Sequence, residues 1–234
     1  MNSSSFAPII DPFSSYESSK SLDFIYRDSL TAQSKNIFST IDKFYNSIKE
    51  DFNKNYVIIE IGTYFGGFTK ILNDSNLGKN SNGIHTFDIQ DLSLNAREQI
   101  LENKNIKIPN KKVSESLKEH CQNVYFYKND IFEKNTIEKI IEIIKNQKII
   151  IFCDGGYKPI EFNYFSRILN KGDFIFAHDY SFDEKHFEEN KINKIWYWLE
   201  TKNSDIQKAC DEYKLETYME EDFNKCVWTC RKKK

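Results

Sequence analysis

The chain has 234 residues and a formal net charge of −2. That length suits one large domain with a substantial core, and the near-neutral charge argues against a protein that grips nucleic acid through its phosphates. No apolar run approaches bilayer-spanning length, and the Ser-rich stretch from Met1 to Lys20 lacks the basic start and apolar centre of a secretory signal, so neither a membrane nor export is expected.

The five cysteines are an odd number, and Cys153 lies in an apolar run, so reduced thiols in a cytoplasm are the simplest account. Cys226 and Cys230 have no second pair nearby and make a poor zinc site.

Residues 1–33 carry isolated aromatics (Phe6, Phe13, Tyr16, Phe24 and Tyr26) without periodicity, and read as an N-terminal segment that is either a loose tail or a lid over a bound substrate. The domain proper is expected over 34–234. Helical spacing of Ile37, Phe38, Ile41, Phe44, Tyr45 and Ile48 predicts a helix over 36–50. Val57 to Ile61 is an apolar, mostly β-branched run, the pattern of a strand buried on both faces. It breaks at Gly62, passes Gly66 and Gly67, and continues as a helix through Phe68, Lys70, Ile71 and Leu72.

A polar loop over 78–83 leads to a strand over 84–88 that ends in Asp88. Helices are expected over 94–102 and 113–120, with Pro109 between them. A strand over 124–127 leads to Asn129-Asp130, and Ile137, Ile140, Ile141 and Ile144 mark a helix with one buried stripe.

The run 148–153 is a strand ending at Asp154-Gly155-Gly156, followed by a helix over 160–169 and a strand over 173–179. An acidic, aromatic loop over 180–190 precedes a helix carrying Ile192, Ile195, Trp196 and Leu199. Segments 214–219 and 225–231 look like an antiparallel hairpin, and the basic run 231–234 like a solvated end. Alternating strands and helices imply an α/β fold, Rossmann-like, with a mostly parallel sheet covered on both faces.

In such sheets ligands bind beyond the carboxyl ends of the strands, near the point where strand order reverses. The informative residues are therefore Glu60 to Gly67, Asp88, Asp130, Asp154 and His178-Asp179. Strand, glycine turn and helix together bring backbone N–H groups close to a ligand. The spacing is Glu-x-Gly-x-x-x-Gly-Gly rather than GxGxxG. It resembles the first motif of class I S-adenosylmethionine (SAM)-dependent methyltransferases, over a span from about Asn36 to the end of the chain.

The resemblance implies a seven-stranded sheet closed by a C-terminal antiparallel hairpin, with SAM as cofactor. It places Glu60, Gly62, Thr63 and Tyr64 at the methionine end and lets Gly66-Gly67 start a helix beside its carboxylate. It also implies Asp88, with Ile89 after it, at the ribose, and Asp130 and Ile131 at the adenine. A carboxylate ending the second strand can accept both ribose hydroxyls on general grounds too.

Asp154-Gly155-Gly156-Tyr157 differs from the polar-Pro-Pro-aromatic motif of base N-methylating enzymes. An acid ending the fourth strand and another ending the fifth are similar to the metal-dependent O-methyltransferases. Those include catechol and macrocin or novobiose types and cephalosporin hydroxylase-like relatives. The sugar-modifying group carries Asp-x-Asp and Asp-Asp-Tyr, where this chain has Asp154-Gly155-Gly156 and His178-Asp179-Tyr180. Asp154, His178 and Asp179 are then candidate catalytic residues and ligands of a divalent metal (Mg, Mn or Fe). Gly156 leaves the second acid of that motif missing.

Two other readings of His178 stay open, as a metal-free general base and as a buried structural histidine. Lys158 reads as a solvated lysine or as a partner for an anionic acceptor. Tyr157, Tyr180, His186, Trp196 and Trp198 are candidates for an acceptor pocket, with Trp196 favoured as core. The expected function is transfer of a methyl group from SAM to an oxygen of a small polar metabolite, a sugar or nucleotide-linked sugar. A non-catalytic SAM-binding module, a nicotinamide-dependent oxidoreductase and an iron-dependent hydroxylase are the alternatives. The expected partner is a small-molecule acceptor, with no nucleic acid and no membrane, and a homo-oligomer is left open.

Overall fold

The computed structural model describes residues 32–53, 55–94, 111–192 and 201–234. Helix α1 (Ala32–Phe52) is longer than its sequence pattern predicts and buries Ile37, Ile41, Phe44, Ile48 and Phe52 along one stripe. Strand β1 (Tyr56–Ile61) is buried at every position, as its apolar run requires. Two helices follow, α2 (Gly67–Asp74) and the single turn α3 (Asn76–Lys79), so the stretch expected as a loop after residue 78 begins with helix. Ser75 supplies the reason, accepting the N–H of Gly78 as a cap.

Next come β2 (Ile84–Asp88), α4 (Val113–His120), β3 (Val124–Lys128), α5 (Lys134–Ile143) and β4 (Lys148–Cys153), each close to its expected span. The helix expected over 94–102 falls almost wholly outside the described residues. In α5 the buried stripe runs through Thr136 and Ile140, which leaves Ile141 at 51% exposure, against the expectation that it is buried.

After α6 (Lys158–Phe165) and β5 (Phe174–His178), the expected acidic loop is instead a short strand β6 (Tyr180–Ser181) and a helix α7 (Glu184–Ile192). Asp183 accepts the N–H of His186 and so starts that helix. Residues 193–200, with Trp196 and Trp198, lie outside the described residues.

The chain ends with β7 (Thr201–Lys202), α8 (Asn203–Glu212), β8 (Leu215–Thr217), α9 (Glu220–Asn224) and β9 (Trp228–Lys233). Sequence reading missed α8, although Ile206, Ala209 and Cys210 form its buried face and Asp205 accepts the N–H of Lys202 at its start.

The main sheet has seven strands in the order β3-β2-β1-β4-β5-β9-β8. The first five are parallel, and β9 runs antiparallel to β5 and β8, so the expected terminal hairpin is present. On one face, Ile58, Phe174, Phe176 and Trp228 pack under α1, α2, α4 and α9. On the other, Ile59, Ile151 and Ile175 pack under α5, α6 and α8.

Phe44 meets Phe174 and Phe176 edge-on at 5.0 and 5.2 Å. The basic end expected to be solvated is partly core, with Arg231 only 4% exposed. Its guanidinium donates to Thr217, Tyr180 and Asn203, which offsets the cost of burying the charge. All five cysteines are free thiols. Among the described residues, no helix is long and apolar enough to cross a membrane.

Candidate cofactor and acceptor site

Strand order reverses between β1 and β4, and there the two strand ends nearly touch. Gly62 has φ +91°, and a Cβ on it would lie 2.3 Å from the carbonyl oxygen of Asp154. Only glycine satisfies both the left-handed backbone and the close approach. Gly66, at φ +78°, caps α2 in the left-handed region and delivers the helix N-terminus to the same place. A cleft opens there, lined by Gly62, Thr63, Tyr64, Gly67, Phe68 and Asp154.

Asp88 stands beside the cleft. Its Oδ2 accepts the N–H of Tyr64 at 2.8 Å, and its Oδ1 the N–H of Gln90 at 2.9 Å. Each oxygen keeps a lone pair for a further donor. Tyr64 is itself at φ +49° and is 45% exposed. Ile89 is exposed beyond the strand. Asp130 is exposed and accepts the N–H of Phe132, whereas Ile131 is buried in the core below the β3 end.

Glu60 does not line the cleft. It is fully buried under the glycine turn, and its Oε2 accepts from the Thr69 hydroxyl at 2.7 Å. Burial pushes its carboxyl up to about 8, against the pull of hydrogen bonds from Thr86 and Thr69. The group is therefore largely protonated at neutral pH and ties β1 to α2.

The second half of the site grows from strand register. Cys153 pairs with Ala177, so Asp154 and His178 emerge side by side from adjacent parallel strands. In a continuing strand Asp179 would face the other side. Its left-handed φ of +53° breaks that alternation, and both side chains turn to one cluster. His178 Nδ1 donates between Asp154 Oδ1 at 2.9 Å and Asp179 Oδ1 at 3.2 Å, and its ring packs 4.7 Å from that of Trp228.

Lys158 completes the group. It is 7% exposed, contrary to the expectation of a solvated lysine. Its Nζ lies 2.9 Å from Asp179 Oδ2 and 3.9 Å from Asp154 Oδ1.

Burial opposes the charge on His178, but the two carboxylates outweigh it and lift its pKa to about 9. Asp179 is held well below the usual carboxylate range, because His178 and Lys158 outweigh its burial. For Asp154 burial wins, and its pKa is raised.

Sequence reading missed Glu161. Its carboxylate accepts the N–H groups of Gly155 and Tyr157, both at 3.1 Å, and so folds the loop that carries Lys158 inward. Burial raises Glu161 to about 7. A Cβ on Gly155 would lie 2.2 Å from its Oε1, so a larger residue there would displace that carboxylate. An acid in the first turn of a helix after a Gly-Gly loop is the signal that could have found it.

Of the remaining pocket candidates, Tyr157 is exposed. Tyr180 is a core residue with its hydroxyl between Asn203 and Arg231, so it forms no pocket wall. His186 is engaged by the Ser181 hydroxyl at 2.7 Å.

The donor atoms of Asp154, His178 and Asp179 lie within 4.8 Å of one another, a spacing a metal could bridge. The charge arrangement does not suit one. A divalent ion binds carboxylate oxygen at roughly 2.0–2.6 Å, and here it would stand against the Lys158 ammonium that already faces both acids.

This strand order, five parallel strands reversing at β1 and β4 and closed by an antiparallel C-terminal pair, is a Rossmann-like α/β fold, one that methyltransferases share. No family model and no curated protein matches the sequence. Among solved structures, the chain is similar to a SAM-dependent methyltransferase from Anabaena variabilis ATCC 29413. The TM-score is 0.50 and the identity 11%, over 86% of this chain and 87% of that one.

It also matches the CurJ carbon methyltransferase, with TM-score 0.49 and 14% identity over 90% of this chain and 57% of that one. A third match is MycE of the mycinamycin pathway, in complex with Mg and SAH, with TM-score 0.42 and 10% identity over 87% of this chain and 49% of that one. The chain thus spans about half the length of the last two, and at these identities the likeness is one of fold.

Proposed function

We propose that this chain is a SAM-dependent methyltransferase acting on a hydroxyl oxygen of a small polar metabolite, a sugar or nucleotide-linked sugar. The observation that carries the reading is the contact of Gly62 with Asp154 at the strand reversal, with the Asp88 carboxylate beside it. Bound SAM supplies a methyl group already activated by its sulfonium.

The chain's own task is to hold that group in line with an acceptor oxygen. Asp88 accepts the ribose hydroxyls, the backbone from Gly62 to Gly67 receives the methionine end, and Asp130 meets the adenine amino group. Asp154 borders both the cleft and the charged cluster, so the acceptor hydroxyl belongs next to it.

The two acids raise the pKa of His178 and favour its protonated form, so the proton leaving the acceptor is assigned to a carboxylate. Asp154, with its raised pKa, is the better base of the two. The exposed Tyr64, which lines the cleft, suits the face of a sugar.

A second reading, a SAM-binding module without catalysis, has Gly156 in its favour, since no side chain stands where a second acid of the sugar-modifying motif would be. Titration calorimetry with SAM and its demethylated product tests the cofactor reading. Transfer of labelled methyl from SAM into a small-metabolite extract separates enzyme from module. Absence of binding by either nucleoside would end both.

A further inference from the structure

The charged cluster holds a cation of its own. Lys158 is the first residue of α6, and Glu161 fixes the preceding loop through the N–H groups of Gly155 and Tyr157. The lysine stem is therefore directed inward, and its side chain is only 9% exposed. Its ammonium reaches both acids that a metal would need, one at 2.9 Å and the other at 3.9 Å.

The nearby carboxylate of Glu161 is turned to the N–H groups of Gly155 and Tyr157. A Cβ on Gly156 would meet nothing within 4 Å, so that position contributes open space instead of a ligand.

We propose that Lys158 is the built-in cation of the acceptor site, standing where a divalent ion would bridge Asp154 and Asp179, and that removing its ammonium uncovers a metal site. In catalysis, which rests on the methyltransferase reading above, the ammonium stabilises the developing negative charge on the acceptor oxygen. The positive charge at that oxygen thus comes from a side chain.

The placement of the lysine is testable without any acceptor. Mn²⁺ binding to the full chain is measured by electron paramagnetic resonance for the native protein, Lys158→Met, Lys158→Gln and Lys158→Met/Asp179→Asn, with circular dichroism to establish folding.

The native protein is expected to show no saturable binding. The single variants gain a saturable site, roughly tenfold or more tighter than any residual native binding, because the ammonium's repulsion is gone and Asp179 Oδ2 loses its partner, while His178 still faces Oδ1 of both acids. The double variant loses it again. Saturable binding by the native protein as tight as that of the variants overturns the proposal, and so does a folded single variant that binds no Mn²⁺. If neither single variant folds, the native protein still decides, since saturable Mn²⁺ binding by it overturns the proposal and its absence supports it.

Calorimetry with SAM on the same samples keeps the two ideas apart. Failure to bind SAM sinks the functional reading and leaves the Mn²⁺ outcome standing. SAM binding together with native Mn²⁺ binding sinks this inference alone.

Discussion

The two halves of the site are built from different materials. At the β1–β2 end the candidate site rests on backbone, with a left-handed Gly62, a left-handed Gly66 and a carboxylate already oriented by two N–H groups. At the β4–β5 end it rests on side chains, where two acids, an imidazole and an ammonium are packed together almost out of solvent. A backbone cradle tolerates side-chain change but not an added Cβ. A buried charge cluster tolerates change in its loop but not the loss of one partner.

The largest effect is expected where the halves meet. Gly62→Ala forces a Cβ against the Asp154 carbonyl at a positive φ, and should destabilise the fold by about 3 kcal/mol or more and abolish SAM binding. Gly156→Ala, with nothing within 4 Å, should stay within about 0.5 kcal/mol of the native protein. Urea denaturation of the pair checks both.

Nearly as large is Asp179→Asn, which leaves the Lys158 ammonium buried with its nearest carboxylate gone. A loss of about 3 kcal/mol in the same assay is expected. If stability is unchanged, the cluster is more open to water than its burial implies.

On the other side of the comparison, Asp88→Ala should leave the melting temperature nearly unchanged and weaken SAM binding by about tenfold or more, the worth of a charged hydrogen-bonding partner. A variant that binds SAM normally would separate Asp88 from the cofactor.

The last effect is one of pH. Glu60 binds its proton more tightly in the folded chain, with a pKa of about 8 against the ordinary 4.5. Its contribution to stability is therefore greatest below 4.5, falls as pH rises toward 8, and is flat beyond. His178, raised to about 9 from 6.5, acts in the same direction over a higher window, its contribution intact below 6.5 and lost as pH passes 9. Melting temperature should fall between pH 6 and 9, and Glu60→Gln, which keeps an acceptor for Thr69, should flatten the lower part of that slope.

Much of the first half of the site was legible because its determinants are contiguous. Gly62, Gly66 and Gly67 follow an apolar strand directly, and Asp88 closes the next one, so spacing along the chain carries the geometry. Ile131 was legible as a neighbour of Asp130 but not as core, since its burial depends on how α5 seats against β4.

The second half was legible only as separate acids at strand ends. Lys158 looked like a surface lysine because the acid in the first turn of its helix signals a cap, and only the packed structure shows that Glu161 turns the loop inward. Arg231 looked like a solvated tail because its partners Tyr180, Asn203 and Thr217 arrive from three other elements.

By itself, then, the sequence determined the alternation of strands and helices, the glycine turn and the order of acids along the chain. These follow from periodicity and backbone freedom, which act over a few residues. Tertiary structure alone decided that Lys158 joins Asp154, His178 and Asp179 in one buried charged cluster. That outcome depends on register between β4 and β5 and on burial, which no short stretch of chain contains.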